Sequence, residues 1–445
     1  MALKLGKRQL QLNSFQVATL GFAGVILTGA LLLMLPISSV SGVVTPFVDA
    51  LFTSTTAVCV TGLVVQDTGT YWTVFGQSVI LLLIQIGGLG VVTIAASIAM
   101  LSGRKLGLMQ RSTMQDAVAA PKISGIVRLT AFIVITTLCI ELLGAVVMAP
   151  VFCRDFGLGQ GLWMAVFHSV SAFCNAGIDL MGIREPYSSL TSYVGNPVIN
   201  LTVMALIVVG GIGFLTWDDV RTNGFRLDRY RTQSKVILLT TGLLILVPAI
   251  GFFFLEFSDM PLGQRILSSL FQSVTPRTAG FNTVDLTAMT QAGQMTMIIL
   301  MLIGGSPGST AGGMKTTTFA VIIACAVAVF RRRDSAHFFR RRIGHDVVAT
   351  ALTLSFMYVG LCVGCGMIIS LVEDLPLLTC MYETASAVGT VGLTLGITPQ
   401  LGVLSKGVLI ALMYLGRVGG LTLIYAALAG QRTVGRLPLD KITVG

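Results

Sequence analysis

The chain is short of charge. Only 11% of its 445 residues are Asp, Glu, Lys or Arg, where a soluble protein carries about a quarter. That shortage excludes an ordinary water-facing globule. No stretch is polar for long enough to build a soluble domain, so nothing in the chain is expected to hydrolyse or sense a nucleotide. Histidine is nearly absent, with three scattered copies, which leaves little material for a His-based metal or catalytic centre. The eight cysteines lie mostly in apolar runs, among them Cys139, Cys325, Cys362 and Cys365. Cys362-Val-Gly-Cys365 has C-x-x-C spacing, but with no second pair and no nearby His it reads as packing rather than metal or redox chemistry.

What is present is apolar. Hydrophobic residues make up 54% of the chain and the mean hydropathy is +0.86, which defines a polytopic membrane protein. Lys4, Lys7 and Arg8 precede the first apolar run as in a signal peptide. That run is long enough to span and no small-residue cleavage site follows, so it is expected to be a retained helix.

Apolar segments then alternate in length. Long ones are read at 15–35, 71–101, 125–152, 194–217, 236–255, 290–330, 347–372 and 403–429, with short ones at 46–58, 162–173, 262–275 and 377–387. At about 1.5 Å per residue, a helix of the shorter kind covers about half the hydrocarbon core. Such segments are re-entrant half-helices, and the irregular backbone after them must face protein or a water-filled pore. The expected fold is therefore all-α and polytopic. Four tandem parallel helix–half-helix–helix repeats surround one pseudo-fourfold pore, with eight spans and four half-helices. The repeats are placed at 15–101, 125–217, 236–330 and 347–430, between an N-terminal segment 1–14 and a tail 431–445.

The four copies also agree in residues. Phe52-Thr-Ser-Thr-Thr, Phe167-His-Ser-Val-Ser, Phe271-Gln-Ser-Val-Thr and Tyr382-Glu-Thr-Ala-Ser close the half-helices. Each aromatic stands ten residues before a glycine, or nine in the third copy. The glycines, Gly62, Gly177, Gly280 and Gly392, recur at intervals of 115, 103 and 112 residues. They end the tripeptides Val60-Thr61-Gly62, Asn175-Ala176-Gly177, Thr278-Ala279-Gly280 and Thr390-Val391-Gly392. Thr-Val-Gly is a sequence whose backbone carbonyls can strip water from potassium, and a filter needs a ring of such copies. The side chains beside the glycines are neutral and dissimilar, so backbone oxygens are the expected ligands. That favours a weakly hydrated monovalent cation over calcium or magnesium. Each half-helix should aim the partial negative charge of its C-terminus at the axis. A second mark recurs in the long helices that follow: Ile86-Gly-Gly-Leu-Gly90, Val209-Gly-Gly-Ile-Gly213, Ile303-Gly-Gly-Ser306 and Arg417-Val-Gly-Gly420. Close helix packing explains these glycines at least as well as function does.

Charge orients the chain. Segments 1–14, 102–124, 218–235, 331–346 and 431–445 hold 3, 4, 5, 6 and 3 basic residues, or 21 of the 29. The segments on the other side hold two, Arg154 and Arg184, and ten acids, including Asp49, Asp67, Asp179, Asp285, Glu373 and Asp374. The positive-inside rule places both termini in the cytoplasm and every half-helix outside, beneath an acidic mouth that concentrates cations. The basic residues are split among short loops, so nucleic acid is not expected as a partner.

The third long segment is interrupted by Gly304-Gly305-Ser306-Pro307-Gly308-Ser-Thr-Ala-Gly312-Gly313. Pro307 lacks a donor and the glycines favour unwinding. The following Met314-Lys315-Thr316 superficially suggests a phosphate-binding loop, but Met314 spoils the spacing and the site is buried in apolar sequence. Arg417 lies at similar depth, where a cation is costly; it either has a functional role or caps loop carbonyls. Lys315 is placed to snorkel toward the inner surface. Glu141, inside a span, is expected to pair or hydrogen-bond within the bundle.

These units resemble the potassium-transporter superfamily of the bacterial Trk and Ktr membrane subunits and the plant high-affinity transporters, over nearly the whole chain. With about 14 residues before the first unit, the chain looks most like a Ktr-type subunit lacking the extra N-terminal helices of the Trk type. The resemblance implies a pseudo-tetramer around one pore in the cell membrane, with potassium as substrate ion and no covalent cofactor. Some plant members carry Ser at the first filter glycine and prefer sodium, so Gly62 argues for potassium. The resemblance also implies that the 304–313 loop obstructs the pore, with Gly304, Gly305, Ser306, Gly308, Gly312, Gly313 and Lys315 as gate residues and Arg417 as a positive barrier. It further implies a homodimer docked on a cytoplasmic ring of nucleotide-binding regulatory subunits. Two other classes stay open at this point. An alternating-access cation transporter would also have broken helices, although two spans per unit make the repeats parallel rather than inverted. A non-transporting scaffold is the third.

Overall fold

The computed structural model describes residues 2–5, 8–11, 14–102, 107–118 and 124–419. The tail 431–445 and the last part of the fourth repeat lie outside these residues. Four helices are long and apolar enough to cross a membrane unbroken: Gln16–Leu33, Ile126–Phe156, Thr232–Leu255 and His345–Glu373. Each opens one repeat. Their outward faces are apolar and exposed, as with Leu138, Leu142 and Val146 on the second. A contiguous apolar face of this length is stable in the open only where the solvent is lipid.

A half-helix follows each: Phe47–Val58, Leu158–Phe173, Leu262–Val274 and Leu377–Gly389. Pro46, Pro261 and Pro376 stand directly before three of them. A helix start leaves N–H groups unpaired, so a residue without one is well tolerated there. The aromatics Phe52, Phe167, Phe271 and Tyr382 are fully buried, and the third residue of each pentapeptide provides a polar anchor. Ser54, Ser169 and Thr384 donate to the carbonyls of Ile26, Glu141 and Cys362 at 2.6, 2.5 and 2.9 Å, tying half-helix to opening helix. Ser273 bonds its own helix at Leu270 instead. Lipid provides no hydrophobic force between helices, so such bonds and close packing hold the bundle together.

The second long helices depart from the expected straight spans. Helix Val74–Leu89 continues as Val91–Leu101, and Pro197–Gly211 as Phe214–Asn223, each pair bent by 95°. The hinges are Gly90 and Gly213, at φ 86° and 92°, a conformation open to glycine and strained for other residues. The fourth counterpart, Val403–Val418, ends at Gly419 with φ 90°. The register is therefore Gly416–Gly419 against Gly87–Gly90, rather than the expected Arg417–Gly420, and Arg417 stands where the first two repeats carry Gly88 and Gly211. In the third repeat the helices Gln291–Leu302 and Thr316–Phe330 flank the extended loop. The segments expected as plain loops hold a helix at Leu108–Val118 and a short strand pair, His337–Phe338 with Arg341–Arg342. A second short pair joins Ala2–Leu5 to Arg8–Gln11.

The repeats close into a ring. Trp163 Nε1 donates to Gln77 Oε1 at 2.7 Å between the second and first. Asn175 Nδ2 reaches the Arg277 carbonyl at 3.3 Å between the second and third. Lys406 Nζ pairs with Asp49 at 3.0 Å between the last and the first.

Candidate functional site

The half-helices converge on four tripeptides. Their first residues, Val60, Asn175, Thr278 and Thr390, have φ of 50°, 58°, 66° and 51°, and their glycines have φ of 100°, 64°, 84° and 97°. Middle residues Thr61, Ala176, Ala279 and Val391 are absent from the positive-φ set. The sign of φ thus alternates identically in all four. For a β-branched Val60 this is strained backbone, which persists only where the surroundings enforce it.

The glycines face one another. A Cβ on Gly62 would lie 2.6 Å from the Ala176 carbonyl oxygen, and one on Gly177 would lie 2.5 Å from that of Ala279. One on Gly280 would strike the Val391 carbonyl, and one on Gly392 that of Thr61. The contacts run first to second, second to third, third to fourth and fourth to first. Glycine is required because backbone from the next repeat fills the space of a side chain.

The fifth pentapeptide residue, Thr56, Ser171, Thr275 or Ser386, fixes this backbone. Thr56 Oγ1 and Ser386 Oγ accept from the N–H of Gly62 and Gly392, both at 2.9 Å. Ser171 and Thr275 donate to the carbonyls of Ile178 and Phe281 at 2.6 and 2.5 Å. Sequence reasoning missed these four residues as site elements, although the recurring hydroxyl at the fifth place was the signal. It also missed Glu383, buried in the fourth half-helix, which accepts from Thr394 at 2.8 Å and from Thr398 and so braces the chain beyond Gly392.

On the acidic face the ring opens to a cavity of about 330 Å³ lined by all four glycines and by Asp67, Asp179 and Asp285. Asp67 accepts from Gly69, Thr70 and the Tyr187 N–H, which joins two repeats. Asp179 accepts from the Met181 N–H at 2.8 Å. Burial, helped by the Asp67 charge, pushes its carboxyl up to about 7.

On the other side of the ring lies the 304–313 loop. Its ends meet, with Gly304 N–H donating to the Met314 carbonyl at 2.7 Å. Ser306 N–H donates to Gly211, Gly313 N–H to Gly416, and the Gly308 carbonyl accepts from Phe214. Thr310 Oγ1 donates to the Phe173 carbonyl at 3.1 Å. A Cβ on Gly312 would strike the Thr390 side chain, and one on Gly304 would come within 3.2 Å of Thr278. The loop is thus packed directly against the tripeptides. The helix glycines serve packing: Cβ atoms on Gly87, Gly210 and Gly416 would strike the carbonyls of Val58, Phe173 and Val388 at the half-helix ends.

Arg417 holds the loop from below. Its guanidinium donates to the carbonyls of Thr310 and Gly87, and to Gly88 at 3.0 Å. Lys315 does not snorkel to the surface. Its Nζ turns back to the loop carbonyls of Ala311 and Gly312 at 2.9 and 3.2 Å, because a loop short of internal hydrogen bonds offers unpaired acceptors at close range. Beneath them is a second cavity of about 290 Å³, lined by Gly90, Pro307, Ala311, Lys315 and Arg417 and sharing no lining residue with the first. Glu141 is hydrogen-bonded inside the bundle, to Gln85 at 3.2 Å and Cys174 at 3.7 Å.

Four re-entrant half-helices presenting a ring of glycines between two cavities define a multi-pass membrane protein of the pore-loop transporter class. Residues 12–431 match the model of the TrkH family, described as cation transport protein. The chain belongs to this family. It is 40% identical over 427 residues to the potassium/sodium uptake protein NtpJ of Enterococcus hirae, covering 94% of this chain and 93% of that one. It is 38% identical to the Ktr system potassium uptake protein B of Bacillus subtilis, covering 97% and 96%. The crystal structure of the potassium transporter TrkH from Vibrio parahaemolyticus has the same fold, with a TM-score of 0.72 at 20% identity over 94% of this chain and 85% of that one.

Proposed function

We propose that the chain takes potassium ions into the cell through a single pore, and that the four tripeptides 60–62, 175–177, 278–280 and 390–392 form its selectivity filter. The observation that carries this reading is the ring closure of the four glycines in sequence order at the floor of the acidic cavity. Backbone oxygens there replace water around a weakly hydrated ion, and Asp67, Asp179 and Asp285 concentrate cations at the mouth. The relatives named for potassium uptake, one of them for potassium and sodium, support the choice of ion. The acidic face is outside and the basic face inside, with both termini cytoplasmic in the cell membrane. The four pore repeats are 15–101, 125–217, 236–330 and 347–430.

The loop with Gly304, Gly305, Ser306, Gly308, Gly312 and Gly313 is the gate, latched by Lys315 and Arg417. Its position between two cavities supports this. A relative named as part of a Ktr system, together with the basic inner loops, supports a homodimer controlled by a cytoplasmic nucleotide-binding ring.

Potassium and sodium flux into vesicles holding the purified wild type or Gly392→Ser tests the filter. Gly392→Ser should lose discrimination between the two ions, and unchanged discrimination would sink the reading. Uptake locked in fixed ratio to a second ion at every gradient would replace the pore with alternating access.

A further inference from the structure

A groove of about 570 Å³ runs between helix Thr232–Leu255 and helix Thr316–Phe330. It takes no part in the ring or the loop. Its walls are apolar and exposed, with Leu243 and Val247 on one side and Ile323 on the other. One end carries Arg331, Arg333 and His337, and no acid lines any part of it. Arg333 lies 3.0 Å from His337, and among the described residues neither arginine has an ion-pair partner.

We propose that this groove binds an anionic glycerophospholipid from the leaflet at the basic face. Its phosphate lies on Arg331, Arg333 and His337, and one acyl chain runs along the apolar walls. Charge and apolar surface are segregated along a single groove in the order found along a lipid molecule. A free phosphate would use only the basic end, and a basic pocket between membrane helices is a headgroup site. The length fits as well. From Phe319 to Arg331 the helix rises about 18 Å, against about 15 Å for one leaflet of hydrocarbon. Helix Thr316–Phe330 begins directly after Lys315, so an occupant braces the helix attached to the 304–313 loop. The proposal stands apart from the filter and gate reading and needs only the membrane placement.

Native mass spectrometry of the full-length protein, titrated with phosphatidylglycerol and with phosphatidylcholine of the same chains, tests it. Wild type should retain phosphatidylglycerol at least tenfold better. Arg331→Gln with Arg333→Gln should abolish that preference. Arg226→Gln with Arg229→Gln, which removes the same charge from the same face outside the groove, should keep it. Ile323→Trp, which fills the channel without touching charge, should weaken phosphatidylglycerol retention severalfold. Equal retention of the two lipids by wild type, or equal loss in both double variants, overturns the proposal. So does Ile323→Trp turning dimer into monomer with lipid retention intact, which would make the groove a contact between two copies of the chain.

Discussion

The guanidinium of Arg417 lies 3.0 Å from the carbonyl oxygen of Gly88, joining the last repeat to the first beneath the ring. Its other donors reach Gly87 and Thr310, so one side chain clamps the loop to the second helix of another repeat. Arg417→Ala removes all three bonds at once. Leaving buried carbonyls unpaired costs about 1–3 kcal/mol, which loosens the loop rather than the ring. Initial potassium uptake into vesicles at saturating ion should rise severalfold while the potassium-to-sodium ratio stays put. A slower variant with altered selectivity would tie Arg417 to the glycine ring rather than to the 304–313 loop.

Gly392 has no room for a side chain because Thr61 and Gly62 occupy the space. Gly392→Ala should therefore open the ring at the junction of the fourth and first repeats, and the potassium-to-sodium flux ratio should fall about tenfold, about 1.4 kcal/mol of discrimination. Gly407→Ala is the matched control. It sits in a helix with nothing within 4 Å of the added carbon and should transport as wild type does.

The pentapeptide hydroxyls divide the work. Ser386 holds the Gly392 N–H at 2.9 Å, whereas Ser54 holds the Ile26 carbonyl at 2.6 Å, well away from the ring. Ser386→Ala leaves the buried Gly392 N–H unpaired, at a cost of about 1–3 kcal/mol, and should lower both selectivity and melting temperature. Ser54→Ala should lower the melting temperature alone. If both variants keep wild-type selectivity, the fifth-position hydroxyl is merely structural.

Much of this site was legible because it is repeated. One Thr-Val-Gly means little, but four glycines in register with four aromatics point to a ring on their own. The bends at Gly90 and Gly213 were not legible in the same way. A long apolar run reads as one span, and the helix glycines were ambiguous between packing and function, with no hinge among the readings. The two roles fall on different glycines: Gly87 and Gly210 are pressed on half-helix carbonyls, while Gly90 and Gly213 turn the chain. Arg417 was found as an intramembrane charge, yet it was grouped with the Gly419-Gly420 pair, whereas Gly416 and Gly419 are the residues that match Gly87 and Gly90. Lys315 was misplaced for a different reason. Snorkelling assumes that surface water is the nearest partner, and here the loop's own carbonyls are nearer.

Asp179 makes the outer cavity sensitive to pH. Its carboxyl is pushed up to about 7, chiefly by burial and further by the charge of Asp67. A carboxyl shifted upward is ionised above that value and neutral below it. The negative charge of Asp179 is therefore complete only in the alkaline range and is lost as pH falls through about 7. At limiting potassium, where capture controls the rate, uptake by wild type should fall severalfold between pH 8 and pH 6 (about one unit on either side of the shifted value). At saturating potassium the dependence should flatten. Asp179→Asn should hold the low, pH-independent rate throughout, since it fixes the side chain in its neutral form. A wild-type slope that survives in Asp179→Asn would assign the titration to another group.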